Sequence, residues 1–122
     1  MIKFVYKIFP AIVIYNDKLV PKEFGGYTRL FAIFLRNKYK TDEGLLQHEL
    51  THVKQFYRIP FLHSYLYKFS KKYRLKCEIE AYKVQLSYYL DKEKNIKWMS
   101  NAIAAKYKLN VSQNEIENML RN

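Results

Sequence analysis

The chain has a single cysteine, no long apolar run, no linker and half as many acids as bases. Cys77 alone cannot form an intramolecular disulfide or supply a cysteine-based zinc knuckle, and it fits a reducing, cytoplasmic setting. The apolar run from Ile8 to Tyr15 contains Pro10 and is far too short to span a bilayer. Lysines interrupt the N-terminal segment Met1–Lys7, so neither a signal peptide nor a transmembrane helix is expected. No internal repeat or low-complexity tract divides the 122 residues, which suit one domain.

Apolar material is plentiful: 49% of residues are hydrophobic and 17% aromatic, enough for a folded core. The formal charge of +11 favours acidic partners such as nucleic acid, anionic lipid or acidic polypeptide. Yet 17 of the 22 bases are lysine, alongside many Ile, Asn and Tyr, the bias that AT-rich coding sequence produces. A dedicated nucleic-acid role is therefore not favoured.

Residues 2–9 and 11–15 read as two strands, with Asn16-Asp17 as turn residues, and 27–35 as a third. From Thr41, a candidate N-cap, apolar residues recur at 46, 50, 53 and 57, the spacing of an amphipathic helix ending before Pro60. A second helix is expected over 61–72, with Phe61, Leu62, Tyr65, Leu66, Phe69 and Tyr73 on one core-facing stripe. A third is expected over 75–90, then two shorter ones at 95–106 and, capped by Ser112, 113–120. Strands first and helices after predict an α+β domain, a small antiparallel sheet of about three strands covered on one face by helices.

The first helix carries His48-Glu49-Leu50-Thr51-His52. Two histidines four apart share a helix face, so both imidazoles can reach one zinc, with Glu49 beside the metal rather than on it. A third protein ligand is then required. The metzincin route fails, because Arg58 stands where its third histidine would be and Gln55 where its glycine would be. His63 is a second candidate, as a ligand or an oxyanion donor. The third route is a glutamate on a later helix, Glu78 or Glu80. At about 100° per residue, Glu78 lies roughly 70° from the centre of the Leu75/Ile79/Tyr82/Leu86 face and Glu80 roughly 130°, which favours Glu78. Cys77 beside it is expected to be a small packed residue.

His48-Glu-Leu-Thr-His52, continued as Val-Lys-Gln-Phe-Tyr, together with Glu78-Ile-Glu-Ala-Tyr82, resembles the gluzincin superfamily and, within it, a set of short bacterial and phage metallopeptidase-like proteins. The resemblance covers the middle third of the chain. It implies zinc as cofactor, His48, His52 and Glu78 as its ligands, Glu49 as general base, and a peptide or protein as substrate. One departure stands out: the aspartate that commonly follows the glutamate ligand by four residues, and orients a zinc histidine, is Tyr82 here.

Hydrolysis of a peptide bond by water activated between zinc and Glu49 is the expected activity. The oxyanion donor would be His63 or one of the twelve tyrosines, Tyr82 among them, and the segment 27–35 is the candidate edge for an extended substrate. The rivals are a zinc-bound pseudoenzyme or inactive precursor, and a basic module binding nucleic acid or a membrane surface through Tyr65–Lys76. A DNA-guided protease of the Spartan type would need a third histidine ligand. The chain is expected to be monomeric.

Overall fold

The computed structural model describes residues 1–122 throughout. β1 (Ile2–Val5) folds back on β2 (Phe9–Tyr15) through a turn in which Tyr6 and Lys7 take positive φ, 51° and 70°, the twist that tight hairpins favour. Pro10 thus lies inside β2, opposite Phe4 and beyond the stretch that β4 covers. β3 (Gly26–Arg29) and β4 (Ala32–Leu35) form a second hairpin. The single strand expected over 27–35 is therefore two, because Leu30, at φ 56°, helps to reverse the chain.

The sheet order is β1-β2-β4-β3, with β2 and β4 parallel. It is a mixed four-stranded sheet rather than an antiparallel sheet of three. The physical reason is the connection 16–25, which carries the chain past a vacant position to the far edge, so that β4 returns into the gap. Arg36, just after β4, holds that connection. Its guanidinium donates to the carbonyls of Asp17 (3.0 Å), Val20 (3.1 Å), Pro21 (2.8 Å) and Phe24 (2.9 Å).

Five helices follow: α1 (Glu43–Arg58), α2 (His63–Phe69), α3 (Lys71–Leu86), α4 (Lys92–Lys106) and α5 (Gln113–Arg121). The first is capped by Asp42, not Thr41, since the Asp42 carboxylate accepts the Leu45 N–H at 3.0 Å. Ser70, Asp91 and Ser112 cap α3, α4 and α5 in the same way. Ser70 also explains why the expected 61–72 helix is shorter: its extended backbone breaks the run and starts α3 four residues earlier than expected.

Two apolar clusters result. Val5, Ala11, Val13, Ile33 and Leu35 from one sheet face pack on Leu46, Leu50 and Val53 of α1. Tyr82 and Leu86 of α3 pack with Ile96, Met99, Ile103, Ile116 and Leu120 of α4 and α5. The two meet where α1 crosses α3. Gly44 permits that approach: a Cβ there would stand 2.9 Å from the Tyr89 ring and 3.1 Å from the Gln85 carbonyl. The outer sheet face, with Ile2, Phe4, Ile12 and Ile14, stays uncovered.

One expectation is overturned outright. The stripe on α2 is not core: Phe61 is 98% exposed, Leu62 56%, Tyr65 62% and Phe69 66%, and α2 buries no residue. A helix this short bridges α1 and α3 with its inner side only, and periodicity alone does not say whether an apolar stripe finds a partner.

Arg36→Ala should lower stability by about 2 kcal/mol, since one guanidinium satisfies four carbonyls. Thermal melting together with trypsin cleavage at Lys18 or Lys22 tests this. An unchanged melt with an uncut loop would show that the connection holds without it.

Candidate metal centre

The α1–α3 crossing places His48, His52 and Glu78 with one ligand atom each inside a sphere where all lie within 4.8 Å of one another. The two Nε2 atoms are 3.2 Å apart, and Glu78 reaches each: Oε2 lies 3.2 Å from His52 Nε2 and Oε1 3.7 Å from His48 Nε2. All three side chains are nearly or wholly buried, and Glu78 Oε1 has no hydrogen-bond partner. Two imidazole nitrogens and a carboxylate oxygen packed this closely, one oxygen atom without a hydrogen-bond partner, form a group that a bound cation would satisfy. The donor set, two imidazoles and one carboxylate, matches a zinc site with an open position.

Glu80, the other carboxylate weighed in the sequence, points away. It forms a two-pronged ion pair with Arg58, at 3.0 and 2.8 Å. Cys77 is buried, and burial pushes its thiol up to about 11, so it packs as a neutral group.

Glu49 occupies the floor beside the ligands, its Oε2 3.8 Å from His48 Nε2. Thr28 on β3 donates to Glu49 Oε1 at 3.0 Å, a contact the sequence offered no periodic signal for. Gly26 is required two residues earlier on the same strand: a Cβ there would meet Leu35 at 2.7 Å and Glu49 Cγ at 3.2 Å. Burial pushes the Glu49 carboxyl up to about 7. Burial likewise holds His48 down at about 3, helped by the neighbouring His52. For His52, burial alone would lower the pKa, but the Glu78 carboxylate outweighs it and holds the ring above its usual range, while His52 holds Glu78 below its own.

Two glutamines, neither singled out in the sequence, stand behind the histidines. Gln55 Nε2 donates to the Cys77 carbonyl (3.0 Å) and to Glu80 (2.9 Å), so its Oε1 faces His52 and accepts from Nδ1 at 2.8 Å. That bond puts a proton on Nδ1 and turns Nε2 toward the ligand cluster. On the other side, Gln85 Nε2 donates to the Tyr89 hydroxyl (2.7 Å), which donates to Asp42 at 3.0 Å. Gln85 Oε1 is left buried without a partner, as is His48 Nδ1. Gln85 is a near neighbour of His48, but the two atoms form no hydrogen bond. The chain from the cap of α1 thus ends at Gln85, one step short of the first histidine.

Tyr82 does not play that part. Its ring packs edge-on against His48, centroids 4.4 Å apart, and its hydroxyl pairs with Tyr107. The tyrosine that enters the site is Tyr67 of α2, whose hydroxyl donates to Glu78 Oε2. His63 lines the same cleft with Nδ1 bonded to Tyr73 at 2.7 Å; burial holds it down at about 4, and it stands outside the ligand cluster.

The ligands open into a cleft of about 630 Å³ between β3 and α2. Arg29, Lys68, Arg74, Lys106 and Lys108 line it, and its only carboxylates are Glu49 and Glu78. Of the expected edge segment 27–35, only β3 is an edge, and Tyr27, Thr28 and Arg29 face the cleft. No family model, curated protein or solved structure matches this chain.

Gln55→Leu keeps the volume but strips His52 Nδ1 and the Cys77 carbonyl of their partner, so a loss of about 2 to 3 kcal/mol is expected in urea denaturation. A loss below about 0.5 kcal/mol would mean the bonds reform elsewhere.

Proposed function

We propose that this chain is a zinc-dependent peptidase of the gluzincin type, with His48, His52 and Glu78 as ligands and Glu49 as general base. The observation that carries the reading is the meeting of those three ligand atoms on two helices, next to a buried glutamate and at the foot of an open cleft. Zinc held there would supply a Lewis acid, acidifying water and polarising a peptide carbonyl.

The chain's own residues would do the rest. Glu49, held by Thr28, takes a proton from the attacking water and returns it to the leaving amine nitrogen. The free edge of β3 pairs with an extended substrate backbone, as exposed strands do for peptides. Tyr67, with its hydroxyl at Glu78, is the tyrosine placed to donate to charge developing on the carbonyl oxygen. Five cations without a carboxylate counterpart along the wall favour peptides rich in Asp and Glu.

Elemental analysis should find about one zinc per chain in the wild type and in Glu80→Ala, and none in Glu78→Ala. Zinc lost from Glu80→Ala and kept by Glu78→Ala would overturn the ligand assignment. Glu49→Gln should retain zinc while hydrolysis of a peptide library falls by about a hundredfold or more. The same site lies in the seam between two cores, so zinc could also serve as a staple. Hydrolysis undiminished in Glu49→Gln would overturn Glu49 as the base, and hydrolysis absent from the zinc-loaded wild type would favour that inert reading over the catalytic one.

A further inference from the structure

Helix α2 has two unlike sides. His63, Ser64 and Tyr67 line the cleft. The opposite side, with the turn before it, shows solvent Phe61, Leu62, Tyr65 and Phe69. Tyr65 and Phe69 lie together, ring centroids 5.0 Å apart, and the Lys68 ammonium stands 5.5 Å from the Phe69 centroid. Lys68, Lys71, Lys72 and Lys76, all exposed, follow in the same stretch of chain. Between Glu49 and Glu78 the chain has no carboxylate at all. Large aromatics gathered in water mark a surface that meets something else.

The chemistry narrows what that is. A second copy of the chain would bring +11 against +11, with no acid in this segment to offset it. The centre of a protein interface is usually depleted of lysine, whereas Lys68 stands against the Phe69 ring and three more exposed lysines follow within eight residues. Duplex DNA would suit the lysines but has little use for Leu62 or for Phe61, which is 98% exposed. An anionic lipid surface suits both parts: aromatic and leucine side chains enter the boundary between headgroups and acyl chains, and lysines meet the acidic headgroups. No helix is long and apolar enough to cross a membrane, so such contact is peripheral.

We propose that the 61–72 segment is a docking surface for anionic membranes. Because the other side of α2 walls the cleft, docking sets that wall between the lipid surface and the cleft. This inference stands independently of whether the metal site hydrolyses peptides.

Co-sedimentation of the full chain with vesicles tests it, using phosphatidylcholine alone and phosphatidylcholine with about one third phosphatidylserine. The chain should pellet with the serine-containing vesicles only, and less at raised salt. Phe61→Ser with Phe69→Ser should weaken binding roughly tenfold or more, as should Lys71→Ala with Lys72→Ala. Melting temperature should not change in either variant, since all four side chains are exposed. Unchanged vesicle binding in the phenylalanine variant would overturn the proposal. So would duplex DNA bound as tightly and lost through the same substitutions, or a dimer in sedimentation that those substitutions dissolve.

Discussion

Crossing α1 over α3 takes His48, Glu49, His52 and Glu78 out of water together, and most of the surrounding polar structure answers the cost of that step. Ionisable groups do not enter an apolar seam without partners, because their desolvation outweighs what apolar contact returns. Here three of the four groups are held from behind: His52 by Gln55, Glu49 by Thr28 and Glu78 by Tyr67, while the His48 ring packs edge-on against Tyr82. What remains open is the centre, where two imidazole nitrogens and a carboxylate oxygen face one another.

That arrangement ties the site to the fold in both directions. The helix cap of α1 also accepts from Tyr89, which accepts from Gln85, so one carboxylate both starts the helix and fixes a side chain packed beside the site. Gly44 and Gly26 are small for the same reason: one lets α3 come close to α1, the other leaves Glu49 its place. The site occupies the boundary between two apolar clusters, each of which supplies one of the two helices. A metal bound there would join the halves as well as serve chemistry.

The basic composition takes on a local meaning in the structure. Much of it is solvated surface, but two parts are organised: the cleft wall with its five cations, and the outer side of α2, where Lys68 stands against the exposed Phe69 ring. Both involve α2, the one helix that contributes nothing to either core. Freed from packing duty, its side chains are available for contacts outside the chain.

The sequence alone determined what depends on local spacing. Histidines four apart must share a helix face, and Glu78, not Glu80, must lie at the edge of the α3 apolar face. Both follow from the pitch of an α-helix, and the α+β order follows from where strand alternation gives way to helical spacing along the chain. Tertiary structure decided what depends on residues far apart in sequence. Gln55, Gln85, Tyr67 and Thr28 have no periodic signature, because their roles exist only once α2, α3 and β3 are in place around α1. The parallel pairing of β4 with β2 came from a connection held by Arg36. The α2 stripe shows the same limit from the other side: periodicity marks an apolar face, but whether that face meets the core or the solvent is settled by what packs against it.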